Sequence, residues 1–563
     1  MGWVTQSWGT RAVVFAGQTI RDHLRAAIQL ISGQVPRRTI FAHLGWHKIG
    51  GQWFFLHAGG AIGPTSGPEP LSSGKKRRHG PNGPFPYGDP SPRSDDICLP
   101  RELQQFQLPE PPVGEGLCQA VRASLRILDV APDNVTVPVQ SGVYRAPLGG
   151  TDHSVHISGP TGEGKSELAA LAQQHYGPAM TRLSLPASWS STANALESLA
   201  YTAKDSLLVI DDFSPTGAQS DVQRLHRDAD RVMRGQGNRS GRSRLRTDAT
   251  HRAARYPRGL ILSTGEDIPK GQSLRGRILI LELAPGKLNF DRLTVAQKEA
   301  ADGLYAQALS GYLQWLAPRY EQVRQILRQK IASLRAKATT GAQHRRTPDI
   351  VASLAFGWQT FLEFALGVGA ITPEEQQQLW DRGWTALCEV ADAQQAYQSA
   401  AEPTRRFLEL LGAAIAAGSA HIAGQDGGVP AKPEVYGWRK SIVGSGDNER
   451  EEWRPQGTRT GWIDGDDLYL DPDASYTAVQ RFAHNGEGLT ITSSTLHRRL
   501  KQRGLLKTTD ETRERLVVRR TLAGARRKVL HLAASHLLET AQTAQSPNAP
   551  ADDDVVATEE GCL

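Results

Sequence analysis

The chain has 563 residues, of which 39% are hydrophobic and 22% charged. That is ordinary for a globular protein and long enough for several domains, so disordered and fibrous classes are excluded. Cys98, Cys118, Cys388 and Cys562 stand too far apart for a disulfide framework or a zinc site. The N-terminal segment lacks a signal-peptide layout, and a cytoplasmic protein with no membrane partner is expected. The net charge of +7 is uneven: Arg224 to Arg258 holds eleven arginines against three aspartates, and Ser493 to His531 holds twelve Lys and Arg against three acids. The rest of the chain is then net acidic, and two basic islands on an acidic chain suit phosphate-backbone binding as well as a solvated surface.

Residues 1–63 read as β-rich around "GWHKIGGQWFFLHAGGAIG", with Gly50-Gly51 as a hairpin turn. His43, His47 and His57 lack a carboxylate or cysteine set and read as strand histidines. Residues 64–97 form a Pro/Gly-rich linker, and 98–150 a short helix (Gly116 to Val130) followed by a strand-like piece. The nucleotide core spans 151–290 and a helical domain 291–425. The apolar run from Asp349 to Ile371 carries Gln359 and Glu363, which favours a buried helix over a membrane span. Residues 426–457 read as a linker, with Asp447 to Gln456 its charged end. A compact basic domain over 458–538 and a disordered acidic tail over 539–563 follow.

Within the core, Ser154 to Ile157 is β-prone and precedes Gly159-Pro160-Thr161-Gly162-Glu163-Gly164-Lys165-Ser166. This matches G-x-x-x-x-G-K-[ST], and a helical pattern follows it. Such a loop curls its N–H groups around one anion at the positive end of a helix. It is expected to hold ATP, with Lys165 on the β/γ-phosphates and Ser166 on Mg2+. "MTRLSL" reads as an intervening strand, and Leu207 to Ile210 as a buried strand ending in Asp211-Asp212. Asp211 is the expected second magnesium residue, and Asp212 the carboxylate that polarises the attacking water. Gly259 to Leu262 is a further strand, followed by Ser263 and the candidate sensor Thr264. Arg275 and Arg277 precede a last strand, Ile278 to Leu281, and either is a candidate finger toward an adjacent subunit. The fold class expected is α/β, a P-loop NTPase core with an ASCE/AAA+-like parallel sheet.

The runs "YRAPLGGTDHSVHISGPTGEGKSELAALAQQHYG", "LPASWSSTANALESLAYTAKDSLLVIDDFSP", "GQGNRSGRSRL" and "PRGLILSTGEDIPKGQSLRGRILILEL", with the N-terminal hairpin, resemble the helicase-like ATPases catalogued as domain of unknown function 927. The resemblance runs from near Gly45 to about Pro285. It implies a ring ATPase of phages, plasmids or integrative elements, similar to the ring helicases of superfamily three. Members are often fused to a primase-polymerase module. About forty residues precede the hairpin, so priming is expected from a separate primase.

In superfamily-three helicases the interval between the carboxylate and sensor strands carries a channel-facing hairpin. Here Gly235, Gly237 and Gly241 would turn such a loop and present Arg239, Arg242, Arg244 and Arg246 to a single strand. The second island reads as helix, recognition-type helix and basic hairpin, the order of a winged helix. Arg498, Arg499, Lys501 and Arg503 are its candidate duplex contacts. Three functions are compatible with this pattern. They are an ATP-dependent DNA helicase or translocase, active as a homo-oligomeric ring in replication of a mobile element; an ATPase switch that loads or remodels a replication complex without unwinding; and a DNA-binding regulator whose nucleotide site is structural.

Overall fold

Three short antiparallel strands, β1 (Gly45–Ile49), β2 (Gln52–His57) and β3 (Gly60–Ile62), form a sheet that turns at Gly50-Gly51 as expected. The computed structural model describes residues 19–31, 39–64, 92–241, 244–245, 251–252, 255–338, 346–400, 402–443, 450–483, 488–489, 491–510 and 515–537. Residues 1–18, most of the 64–97 linker and the acidic tail lie outside them. The hairpin is anchored by Trp46: its indole donates to the Pro147 carbonyl at 2.7 Å and its ring stacks on Tyr320 at 4.5 Å.

The nucleotide core is a five-stranded parallel sheet of β4 (Ser154–Ser158), β5 (Ala187–Ser188), β6 (Leu207–Phe213), β9 (Leu260–Gly265) and β10 (Ile278–Glu282), in the order β10-β4-β9-β6-β5. Between β6 and β9 the chain forms helix Gln219–Asn238 and a small antiparallel pair, β7 (Arg244–Leu245) and β8 (His251–Arg252). Strand β9 therefore inserts between the phosphate-loop strand and the carboxylate strand, matching the expected P-loop architecture. Strands β4 and β9 are buried along their length, and β6 is buried from Leu207 to Ile210, as in a parallel sheet covered on both faces.

Two expectations ahead of and inside this sheet are corrected. The strand-like piece before the core is helix Asp133–Arg145, with Pro138 inside it. Its valines are buried on every side, so tertiary packing against helix Thr347–Gly367 overrides their β preference. "MTRLSL" is not the intervening strand. Ser184 donates to the Ala179 carbonyl at 2.7 Å and Leu183 is 82% exposed, so the segment turns and the strand is only Ala187–Ser188.

Helices Phe290–Ala301, Leu304–Leu316, Tyr320–Ala338, Thr347–Gly367 and Pro373–Ala400 follow. Among the described residues, Thr347–Gly367 is long and apolar enough to cross a membrane, but 78% of its most apolar window is buried inside the protein. One continuous core runs from Leu44 to Ala391 and a second from Phe407 to Leu537.

The second core contains helix Pro403–Ala416, β11 (Ala420–Gly424), β14 (Thr458–Asp464), β15 (Asp467–Leu470), helices Pro472–Phe482 and Ser493–Gln502, β16 (Leu506–Thr508), β17 (Val518–Leu522) and β18 (Ala525–Ala533). Helix Pro403–Ala416 and β11, which the sequence groups with the preceding helices, thus pack here, β11 pairing with β14. The charged end of the expected linker is half of an antiparallel ribbon, β12 (Trp438–Val443) with β13 (Arg450–Pro455). Lys440 crosses that ribbon to Glu451 at 2.7 Å, so its charges read as loop but pair across strands.

Candidate nucleotide site

The loop from Gly159 to Gly164 links the end of β4 to helix Lys165–Gln174. Gly164 caps that helix at φ +78°, and a Cβ there would lie 2.4 Å from Leu288. At Gly159 a Cβ would meet the Leu283 carbonyl oxygen at 2.4 Å. Both positions need glycine for backbone angle or close approach. Lys165 follows, 8% exposed, its Nζ donating to the Pro160 carbonyl at 2.5 Å. Burial lowers its pKa against the raising influence of Glu266, Asp211, Glu163 and Asp212.

Ser166 Oγ donates to Asp211 Oδ1 at 2.8 Å, and the Thr264 hydroxyl donates to the same oxygen. The Asp212 N–H donates back to Thr264 Oγ1 at 3.2 Å. Asp211 and Asp212 on β6 and Thr264 on β9 lie on neighbouring strands, and β4, which leads through the loop to Ser166 at the start of its helix, is the other neighbour of β9. Asp212 has φ +64°, and the pairing of β6 with β9 shifts between Ile210 and Phe213. A left-handed aspartate costs about 1 kcal/mol or more, and here it turns the exposed carboxylate into the cavity. That cavity is about 310 Å³, lined by Thr161, Gly162, Lys165, Ser166, Asp212 and Thr264 among others. Converging hydroxyl and carboxylate oxygens are hard donors that fit a hydrated magnesium ion.

Within the expected loop, Glu163 accepts from the Gly286 N–H at 2.9 Å. Sequence reasoning missed other groups around this cavity: Glu266 accepts from the Thr161 hydroxyl, and Arg182 pairs with Glu167 at 2.7 Å. Glu266 stands two residues beyond the sensor in "STGED", a signal that was available. Beneath the sensor, Ser263 is held by Trp189 Nε1 at 2.8 Å and His156 Nδ1 at 3.0 Å. Burial depresses His156 to about 4, and His57 and His175 likewise.

An unfolded histidine titrates near 6.5, so between these values the unfolded chain binds more protons than the folded one. The stabilisation is therefore complete above pH 6.5 and is lost as pH falls toward 4. At pH 5 each histidine is expected to cost roughly 2 kcal/mol of first-core stability. Calorimetry from pH 7 to 5 should show a falling midpoint with proton uptake on unfolding, and a flat midpoint would refute it.

The arginines are placed unevenly. Arg275 donates to the Tyr397 carbonyl at 2.8 Å, and Arg277 to Asn238 at 3.1 and 2.7 Å. Arg277 precedes β10, at the opposite end of the parallel sheet from the phosphate loop of its own chain. Gly235 and Gly237 are not loop glycines: both lie inside helix Gln219–Asn238, where Gly237 packs on Arg277. Arg239 terminates that helix and donates to the Gly150 carbonyl. Arg242 and Arg246 lie outside the described residues. Arg244 lies in β7 opposite Arg252.

In the second core, helix Ser493–Gln502 begins at Thr492, whose Oγ1 accepts from the Thr495 N–H at 3.4 Å. Arg498 and Lys501 are exposed and Arg499 half-buried. Arg503 lies 3.7 Å from the buried Glu402, facing the protein rather than solvent alone. The β17–β18 hairpin then sets Arg519 opposite Lys528 and Arg520 opposite Arg527.

Residues 148–247 match the family model described as Domain of unknown function (DUF927). A search of curated proteins gave no match. Among solved structures, one described as "SCCmec type IV Cch - active helicase" superposes with a TM-score of 0.51 at 13% identity, covering 92% of this chain and 84% of that one. At that identity the likeness is one of fold, and it extends over both cores. Residues 148–247, which carry the phosphate loop, the carboxylate strand and the start of the first basic island, are thus similar to the DUF927 family.

Proposed function

We propose that the protein is an ATP-dependent DNA helicase or translocase serving replication of a mobile genetic element and working as a homo-oligomeric ring. The observation that carries this is the convergence of Ser166 and Thr264 on one oxygen of Asp211, beside a glycine loop ending in Lys165. A purely structural nucleotide site has no need of a sensor hydroxyl bonded to the carboxylate strand. In this reading the loop amides and Lys165 hold the β/γ-phosphates, while Ser166 and Asp211 hold Mg2+. The metal, when bound, neutralises charge that develops on the phosphate oxygens. Asp212 orients and polarises the attacking water, and Thr264 reports the state of the terminal phosphate to β9. Arg275 or Arg277 reaches the nucleotide of an adjacent subunit.

The path from chemistry to motion runs through β9. Its start is joined to the β7–β8 pair, which lies within the first basic island, a composition suited to a phosphate backbone. A shift at Thr264 is thus transmitted along one strand toward a basic hairpin. The two helices and hairpin of the second core, with β15 pairing on β18, support a winged helix that holds duplex through Arg498, Arg499 and Lys501.

A forked-duplex displacement assay tests the motor. Strand release is expected with ATP and none without it. Strand-stimulated hydrolysis with no displacement would replace the motor by the loading switch, and absence of hydrolysis would leave the regulator.

A further inference from the structure

Opposite the phosphate loop, at the starts of β4 and β6, lies a cleft of about 830 Å³. Arg145 lies at its floor, 1% exposed. Its Nη1 donates to the Gly149 carbonyl at 2.7 Å and its Nε to Ser353 Oγ at 2.8 Å. Among the described residues no carboxylate lies within the 4.0 Å of an ion pair with it. Burial lowers its pKa to about 10, so it remains a cation at neutral pH. A buried cation held only by neutral groups is costly and is offset by an anion brought from outside.

The walls add to the imbalance. Arg239, Arg324 and Arg328 also line the cleft, and among the described residues none of them forms an ion pair with a carboxylate. Lys204 is paired with Asp205 at 3.0 Å and Arg335 with Asp349 at 3.1 Å. Asp152 is the third acid; it approaches the buried His153 ring at 3.6 Å, and His153, Arg239 and Arg145 favour its charged form. Six Lys and Arg side chains thus face three carboxylates.

An aromatic wall stands at the same cleft. Arg324 lies 5.4 Å from the centre of the Trp53 ring, and Lys48 5.5 Å from it. Trp53 is oriented by its indole N–H, which donates to Glu321 at 2.9 Å, and it meets Tyr320 edge-on at 5.0 Å. Cations that grip phosphates beside a ring that takes a base form the usual platform for single strands. The cleft also adjoins the end of helix Gln219–Asn238, which leads directly into the β7–β8 pair.

We propose that this cleft grips single-stranded nucleic acid, with phosphates on Arg145, Arg324 and Arg328 and a base against Trp53. The proposal rests on the reading of the chain as a nucleic-acid motor and adds a second grip beyond the hairpin. It gives the N-terminal hairpin a task, since Trp53 belongs to β2.

The test uses the full chain and a labelled oligothymidylate, read by fluorescence anisotropy across a salt series. Arg324 and Arg328 are exposed, so the double variant R324A/R328A keeps its fold and its basal hydrolysis. It is expected to bind about tenfold more weakly, with the salt slope reduced by about 1.4, or about 0.7 for each phosphate contact removed. Trp53→Leu should weaken binding about fivefold or more with little change in slope. Variants that keep wild-type affinity and slope, beside a wild type that binds and is stimulated, overturn the cleft and leave the motor standing. A wild type with no affinity for the strand defeats both. Competition by millimolar inorganic phosphate, with affinity independent of oligonucleotide length, would mark a small-anion site and also overturn the proposal.

Discussion

Lys165→Ala is expected to lower ATP hydrolysis by about a hundred- to a thousandfold while leaving the fold and duplex binding intact. The size follows from removing a fixed charge aimed at the transferring phosphoryl group, in a cavity where water screens little. The fold should survive because Lys165 contributes to it only through its bond to Pro160. Alanine at the first helical position keeps helix propensity. Removal of the lysine leaves the half-buried Asp211 with two partners, Ser166 and Thr264. Steady-state phosphate release, together with an unchanged thermal midpoint, checks the expectation. Turnover near the wild-type rate would remove the nucleotide assignment and the motor with it.

The phosphate-loop half of this site was legible because its pattern is local in sequence. A phosphate loop needs glycines, a lysine and a hydroxyl within eight positions, and Asp211-Asp212 terminates an apolar strand that announces itself. The chain order of the phosphate-loop, carboxylate and sensor strands was legible for the same reason, since each of these three leads to a residue with an expected task. What stayed hidden depends on distant partners. The helix Asp133–Arg145 is written in β-branched residues and becomes helical only because other helices enclose it. The left-handed turn at Asp212 follows from the break in pairing with β9, fifty residues away in the chain. The cleft at Arg145 gathers residues from Trp53 to Ser353, and no window of sequence contains them together. Charge counts revealed the two islands but missed this third group, although Arg319 to Arg346 holds eight Lys and Arg against one acid, because only the fold brings Arg145 and Trp53 beside that run.

Deletion from Glu402 onward is expected to remove duplex affinity by at least about a hundredfold at moderate salt while basal hydrolysis persists. The position matters. A cut near Arg454 would leave helix Pro403–Ala416 and β11 behind, with Phe407, Leu411 and Ile422 stripped of their core, and β11 without its partner β14. Glu402 marks the better boundary: its carboxylate caps the helix through Thr404 and Arg405 at 2.9 and 3.0 Å, and Arg503 approaches it from the basic helix. The first core ends at Ala391, so hydrolysis keeps all its packing. The lost affinity would come from Arg498, Arg499, Lys501 and the hairpin. There, Arg519 facing Lys528 and Arg520 facing Arg527 cost stability, roughly 0.2–1 kcal/mol per opposed pair, unless an anion lies across them. A phosphate backbone supplies that anion. Electrophoretic mobility shift with a short duplex, run beside an ATPase assay on the same preparation, checks both halves. Unchanged duplex affinity would move that binding into the first core, and the like-charged hairpin would then require a different acidic partner.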